Sequence, residues 1–155
     1  MEIRKAQLGD FEIVRSITQT TIRSVYPKYY PAGAVEFFSE HHSDERILRD
    51  IEAGIVYLLT EEGTCAGTVT VAGNEINRLF VLPEMQHKGF GQALLNFAEE
   101  KISASFDTIR MDASLPAKKI YLLRGYKETE YHIIPTGNGD YLCYDVMEKT
   151  VDKTM

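Results

Sequence analysis

Residues 81–95, with the sequence VLPEMQHKGFGQALL, decide how this chain folds. They follow an apolar run that includes Ile76 and Phe80, carry glycines at positions 89 and 91, and lead into an amphipathic segment. This order predicts a strand, a glycine loop and the start of a helix. The first amides of a helix have no internal acceptor, and with the helix dipole they attract an anion such as a phosphate. Lys88, and His87 when protonated, would add positive charge there.

The spacing of the loop excludes two common phosphate-binding patterns. A P-loop requires Lys and then Ser or Thr after its second glycine, but Gln92 and Ala93 follow Gly91. The dinucleotide fingerprint requires a third glycine at the position of Leu94. What remains is Gln86, two residues, Gly89, one residue and Gly91. This pattern resembles the acyl-CoA loop of the GCN5-related N-acetyltransferase (GNAT) family. An ordinary glycine turn before a core helix, or a loop for another phosphate ligand, are the alternatives.

A second segment strengthens the resemblance. Ala117, Tyr121, Gly125 and Tyr126 have the order and spacing that is typical of GNAT members at this distance from the loop. The stretch predicts a short helix that begins near Pro116, where a first turn tolerates proline, and ends where glycine can adopt a left-handed conformation. The resemblance therefore extends over nearly the whole chain.

The periodicity of the remaining segments predicts a mixed α/β (α+β) fold. Asp10 and Ser43 are candidate helix caps. Helices are predicted at residues 11–25, 31–40, 43–53, 89–106 and 116–124. Strands are predicted at residues 1–6, 55–60, 65–72, 75–82, 108–113, 126–134 and 141–148. The resemblance implies the GNAT fold, with a central twisted, mostly antiparallel sheet of six to seven strands flanked by helices.

Composition indicates one ordinary domain. The 155 residues are enough for one core, so residues 1–150 are predicted to form a single N-acetyltransferase domain and residues 151–155 a frayed tail. The net charge of −6 argues against binding to nucleic acid or to a membrane surface. No signal peptide or membrane span is recognisable, which predicts a cytoplasmic protein. The two cysteines are expected to be reduced, and no Cys/His spacing indicates a metal.

The resemblance implies acetyl-CoA as cosubstrate. Two neighbouring parallel strands, at residues 75–82 and 108–113, would separate at their C-terminal ends and admit the pantetheine arm. Backbone groups of the first strand would bind the pantetheine amides and the acyl carbonyl, and amides of the loop would bind the pyrophosphate. Ser114 stands where many relatives have a polar side chain that contacts the cofactor. The residues assigned to the cofactor are Leu79, Phe80, Val81, Gln86, His87, Lys88, Gly89, Phe90, Gly91, Gln92, Ser114 and Lys118.

Two residues are candidates for proton transfer. In similar enzymes the tyrosine at the position of Tyr121 protonates the departing thiolate, although a tyrosine on such a helix can also be a packing residue. Glu75 resembles a glutamate that in some members removes the amine proton, but an exposed glutamate on a strand is also common. Asp112 and Ser114 are lesser candidates for the base.

The acceptor is the part that the sequence specifies least. The segment between the first helices carries Tyr26, Tyr29 and Tyr30, which are candidates for acceptor binding, together with Phe37, Phe38, His41 and His42. An aromatic lid over the acceptor and simple packing explain this cluster equally well. A second loop, at residues 135–140, either borders the same pocket or is a hairpin turn. The expected acceptor is a primary amine of a small molecule or a peptide, and a homodimer is possible. A non-catalytic acyl-CoA sensor of the same fold is the alternative function.

Overall fold

The computed structural model describes residues 1–151, which form seven strands and five α-helices connected by short 3-10 turns. The strands are β1 (Glu2–Lys5), β2 (Val56–Glu61), β3 (Thr64–Ala72), β4 (Glu75–Val81), β5 (Thr108–Ala113), β6 (Lys127–Pro135) and β7 (Tyr141–Thr150). The helices are α1 (Phe11–Val25), α2 (Ala32–His41), α3 (Asp44–Glu52), α4 (Phe90–Ser103) and α5 (Leu115–Leu123). Of the predicted tail at residues 151–155, Val151 donates its amide to the Asp107 carbonyl at 2.8 Å and packs against a core, and residues 152–155 lie outside the described residues.

All seven strands form one sheet in the order β1-β2-β3-β4-β5-β7-β6. Every neighbouring pair is antiparallel except β4 and β5, which run parallel. The helices cover both faces of this sheet, which confirms the predicted fold class. Among residues 1–151 there is no helix that combines the length and the apolarity needed to cross a membrane.

The parallel pair separates soon after it begins. Glu75 of β4 is paired with Arg110 of β5, and the Arg110 amide donates to the Asn74 carbonyl at 2.9 Å. No further pairing joins these two strands within the described residues. On its other side β5 keeps a continuous ladder with β7, from Thr108 to Ala113. The C-terminal ends of β4 and β5 are therefore open to each other across a gap in the sheet.

A β-bulge lies in the middle of β4. Thr68 pairs with Phe80 and Thr70 with Asn77, so β4 carries one residue more than β3 over this interval. Arg78 lies in the bulge with a φ of 48°, in the left-handed region that residues with side chains seldom adopt. In a regular strand Ile76 and Phe80 would face the same side. Because of the extra residue they pack in two different cores.

The two cores lie on opposite faces of the sheet. The first is formed by α4 and α5 and contains Leu94, Ala98 and Tyr121. The second is formed by α1, α2 and α3 and contains Val14 and Ile47. Helix α4 approaches the sheet closely at Gly67 of β3, where a Cβ atom would stand 2.8 Å from the Phe80 carbonyl oxygen and 2.9 Å from Cδ1 of Leu94. This contact places the start of α4 against the C-terminal half of β4.

Most element boundaries agree with the sequence predictions to within three residues. Ser43 caps α3, since its hydroxyl accepts from the Arg46 amide at 3.4 Å. Asp10, however, does not cap α1 through its side chain. Residues 8–10 form a 3-10 turn that runs directly into α1, so the Asp10 carboxylate accepts from the Gln7 amide at 2.8 Å and from both terminal nitrogens of Arg4.

Candidate active site

A cavity of about 170 Å³ lies between the second core and the open ends of β4 and β5. Its floor is formed by both strands, one side by the start of α5 and strand β7, and its cover by the segment that joins α1 to α3. The lining residues are Tyr26, Phe37, Phe38, His41, His42, Ile76, Asn77, Arg78, Leu79, Phe80, Met111, Asp112, Ala113, Ser114, Tyr121, Ile134, Leu142 and Tyr144. The bulge and the gap in the sheet thus lead into the same cavity.

Tyr121 lies at the side of the cavity formed by α5. Its side chain is buried, and its ring centroid is 5.8 Å from that of Tyr126. Burial raises the pKa of the Tyr121 hydroxyl to about 12, because an apolar environment disfavours the phenolate. The hydroxyl is therefore protonated at neutral pH and available as a hydrogen-bond donor.

The end of β4 is where the sequence places the backbone contacts to the cofactor. Leu79 and Phe80 line the cavity directly after the bulge. Val81 does not line it, and the Val81 carbonyl accepts from Nε2 of Gln86 at 3.0 Å and from the Thr21 hydroxyl at 3.4 Å. The Gln86 side chain therefore folds back onto the strand and fixes the first turn of the glycine loop.

The glycine loop lies beside this strand end and leads into α4. His87 and Gly89 both have positive φ values, 64° and 87°, which turn the chain sharply before Phe90. The Ala93 amide donates to the Gly89 carbonyl at 3.0 Å, and the amides ahead of it are those that a helix leaves without internal acceptors. His87, Lys88 and Gly89 are exposed. These features fit the phosphate-bearing part of a CoA molecule.

Two loop residues differ in what they contribute. The Phe90 ring is buried in the first core, so only its backbone faces the loop. A Cβ atom added to Gly91 would have one neighbour within 4 Å, Cγ2 of Val81 at 3.7 Å. Position 91 is thus open towards the loop, and Gln92 beside it is exposed.

The two cofactor candidates near α5 are placed differently. Ser114, which precedes α5, lines the cavity. The Lys118 ammonium is bound by two carboxylates, those of Asp145 at 2.7 Å and Glu128 at 3.3 Å. These contacts raise the pKa of Lys118 and tie its charge to the sheet. A cofactor contact of Lys118 therefore requires that it leave these partners.

Glu75 lies outside the cavity. It is at the start of β4, at the closed end of the gap, and its carboxylate is 3.4 Å from Nε of Arg110. Asp112, near the C-terminal end of β5, is the one carboxylate among the described lining residues. Glu75 itself does not line the cavity, although the next two residues, Ile76 and Asn77, do, and its carboxylate lies beside Arg110.

The three tyrosines of the predicted acceptor site differ in their position relative to the cavity. Tyr26 lines the cavity, with its ring centroid 4.7 Å from that of Phe38 in an edge-on contact. The Tyr30 hydroxyl accepts from the Leu115 amide at 2.6 Å, so Tyr30 fixes the first turn of α5. Tyr29 is 50 % exposed and does not line the cavity. Of the three tyrosines, only Tyr26 lines the cavity.

The loop at residues 135–140 joins two lining strands and holds α2 in place. The Gly33 amide near the start of α2 donates to Oδ2 of Asp140 at 2.8 Å. A Cβ atom at position 33 would collide with the Gly137 carbonyl oxygen. The loop is absent from the lining, whereas Ile134 and Leu142 at its ends are part of it. The loop therefore contacts α2 and does not itself form part of the cavity surface.

Sequence reasoning did not identify Arg78 as a lining residue. The signal was present, because Arg78 is a charged residue inside the apolar stretch INRLFV. Its side chain is 4 % exposed and forms an ion pair with Asp50 of α3, at 2.9 Å.

In the described part of the chain there is no group of three or more His, Cys, Asp and Glu side chains that could hold a metal ion.

Comparison with known proteins agrees with this arrangement. The model of the acetyltransferase (GNAT) domain matches residues 25–149. A GCN5-related N-acetyltransferase from Rhodopseudomonas palustris superposes with a TM-score of 0.87 at 20 % identity, over 97 % of this chain and 95 % of that one. The PaiA N-acetyltransferase from Thermoplasma acidophilum, solved in complex with coenzyme A, gives 0.72 at 22 % identity, over 97 % and 98 %.

YncA from Salmonella typhimurium, solved with its cofactor acetyl-CoA, superposes with a TM-score of 0.74 at 16 % identity, over 100 % of this chain and 96 % of that one. These likenesses establish the shared fold. No curated protein matches the sequence significantly. Because the domain model covers most of the 155 residues, the chain belongs to the GNAT acetyltransferase family.

Proposed function

We propose that this protein is an N-acetyltransferase that moves the acetyl group of acetyl-CoA to a primary amine by direct attack in a ternary complex. The observation that carries the proposal is the position of Tyr121. Tyr121 is buried and lines the cavity into which the gap between β4 and β5 opens, and the glycine loop follows the C-terminal end of β4.

Each part of the site has a defined task in this reaction. The loop amides from Gln86 to Gly91 bind the pyrophosphate, and the backbone around Leu79 and Phe80 binds the pantetheine and polarises the acyl carbonyl. Donors placed where negative charge develops contribute about 3 kcal/mol each in well-studied enzymes. Orientation of the amine against the thioester supplies much of the remainder.

Proton transfer is assigned to two side chains. Tyr121 donates to the sulfur as the carbon–sulfur bond breaks, because burial keeps its hydroxyl protonated. Asp112 takes the proton that the attacking nitrogen loses, directly or through water, since it is the carboxylate that lines the cavity. The amine nitrogen and the acyl carbon form the new bond, and CoA leaves as the thiol.

The first experiment measures thiol release from acetyl-CoA with a panel of simple amines, polyamines, aminoglycosides, amino acids and peptides, against a control without acceptor. We expect release that depends on an acceptor, and a fall of at least about a hundredfold in kcat for Tyr121→Phe with acetyl-CoA affinity retained. Tyr131→Phe, on an exposed tyrosine of β6, is the matched control. Tight acetyl-CoA binding without release for any acceptor would instead support the sensor alternative.

A further inference from the structure

One wall of the cavity is formed by side chains that carry nitrogen. His41, His42 and Arg78 line the cavity, and Nη1 of Arg46 lies 3.2 Å from Nδ1 of His41. We refer to these four residues as the basic wall, in which Arg46 contacts His41 but does not itself line the cavity. His41, His42 and Arg46 are close in sequence, from the end of α2 to the start of α3, and the tertiary structure brings Arg78 in the bulge of β4 to them.

The basic wall contains two buried polar atoms that have no hydrogen-bond partner among the described residues. Nη1 and Nη2 of Arg78 donate to Thr70 and Asp50 at 3.0 and 2.9 Å, but its Nε has no acceptor. Nδ1 of the neighbouring His42 is also unpaired. Buried polar groups in folded proteins are normally paired. The hydroxyls of Thr18 and Thr136 are also unpaired, but of the residues concerned only Arg78 and His42 line the cavity, where a bound molecule could supply an acceptor.

Two arginines, Arg78 and Arg46, lie close enough to the histidines of the wall to affect their pKa. Burial, and then the charges of Arg78, His41 and Arg46, lower the pKa of His42 to about 3. Burial and then Arg46 also lower the pKa of His41, while Asp112 across the cavity has the opposite effect. Despite its ion pair with Asp50, Arg78 thus adds to the lowering of the pKa at both histidines, after the larger effect of burial.

We propose that the acceptor carries a carboxylate besides its amine, and that Arg78 and His42 bind this carboxylate. The inference rests on the proposed transferase function and names its substrate class, a small amino acid or a similar amino-carboxylic acid. A carboxylate accepts from Nε of Arg78 and, in the tautomer with the proton on Nδ1, from His42. Both atoms are enclosed, so the wall must open slightly to admit it.

The same wall assists the chemistry of the amine. A positive potential disfavours an ammonium ion and so lowers the pKa of the bound amine. Its neutral form is the nucleophile, and Asp112 lies in the same cavity to accept the proton. The wall therefore attracts one end of an amino acid and favours deprotonation of the other.

The test compares amino acids with their primary amides, in which a neutral group replaces the carboxylate and the amine is less basic. Alanine, β-alanine and 4-aminobutyrate are each paired with the corresponding primary amide, and kcat/KM is measured from thiol release. We expect the acid to exceed its amide by at least about tenfold in at least one pair. Equal or better use of the amides would overturn the inference. The inference would also be overturned if neither the acids nor the amides released thiol while other amines did. That result would leave the proposed transferase activity intact. Silence with every acceptor would overturn the transferase as well.

Variants test the named residues, with the ratio of acid to amide as the readout, because a general loss of folded enzyme cancels in that ratio. In Arg78→Met the ratio should fall to about one, and Arg78→Lys should retain part of it. Arg23→Met, which removes an arginine of α1 paired with Glu36 outside the cavity, should keep the ratio of the unchanged protein. If Arg78→Met does not fold, His42→Leu provides the same test. An unchanged ratio in a folded variant would refute the assignment.

Discussion

At the scale of single residues, Gly91 tests the assignment of the glycine loop. Because a Cβ atom there meets only Val81 at 3.7 Å, a larger side chain extends out of the loop without disturbing the core. Gly91→Glu places a negative charge beside the amides that would bind the pyrophosphate. We expect acetyl-CoA affinity to fall at least about tenfold, and isothermal titration calorimetry measures it.

Gly91→Gln is the matched control, since it has nearly the same volume without the charge. It should lose clearly less affinity than Gly91→Glu, and both variants should melt close to the unchanged protein. Normal binding of acetyl-CoA by Gly91→Glu would show that the pyrophosphate lies elsewhere.

A second prediction at this scale concerns the base. Asp112 lines the cavity, whereas Glu75 faces Arg110 at the closed end of the gap. Loss of a general base typically slows a reaction by about 10²–10⁴-fold. We therefore expect Asp112→Asn to reduce kcat by at least about a hundredfold in steady-state thiol release.

Glu75→Gln should reduce kcat far less, because its loss affects a half-exposed ion pair. The reverse ranking of the two variants would restore the role that the sequence assigns to Glu75. Equal small effects would mean that water accepts the proton without a carboxylate.

At the scale of elements, the approach of α4 to the sheet depends on Gly67. A Cβ atom there would overlap the Phe80 carbonyl oxygen and the Leu94 side chain, both of them fixed by the core. Gly67→Ala should therefore destabilise the protein by about 1–3 kcal/mol in urea unfolding. It should also weaken acetyl-CoA binding, because the start of α4 and the end of β4 must move apart.

Gly9→Ala is the comparison for this prediction. A Cβ atom at Gly9 meets nothing within 4 Å, so this change should be neutral or slightly stabilising. If Gly67→Ala were equally harmless, the helix and the sheet would be able to separate freely at this point.

The sequence predicted elements more completely than it predicted the cavity. The helical spacing of apolar residues and the cap residue identify α3, with its cap at Ser43 and its buried Ile47 and Ile51. These signals are local in the sequence. The two family motifs identify the loop and Tyr121 for the same reason. The bulge at Arg78 leaves no local signal in the spacing, since an extra residue is visible only when β4 is aligned with β3. The basic wall likewise depends on contacts between α2, α3 and β4.

At the scale of the whole molecule, His42 should make stability depend on pH. Its folded pKa of about 3 is below the unfolded value of 6.5, so the unfolded chain binds the proton more readily. The contribution of His42 to stability is therefore fully present above about pH 6.5, and it is lost as the pH decreases from there towards 3. The hydrogen bond to Arg4 is the main reason that the pKa of Asp10 is lowered to about 2. The stability that this contact provides is therefore lost only below about pH 3.8.

Between pH 6.5 and 5 the histidines therefore dominate the change, and His42 should account for about 1–2 kcal/mol of lost stability at pH 5. Urea unfolding of the unchanged protein and of His42→Asn, at pH 7 and pH 5, measures this difference. The variant should be less stable at pH 7, because it changes a well-packed side chain, but it should lose less stability on acidification. Equal losses in the two proteins would show that His42 becomes protonated in the folded state near its ordinary pKa, and that the wall around it is open to water.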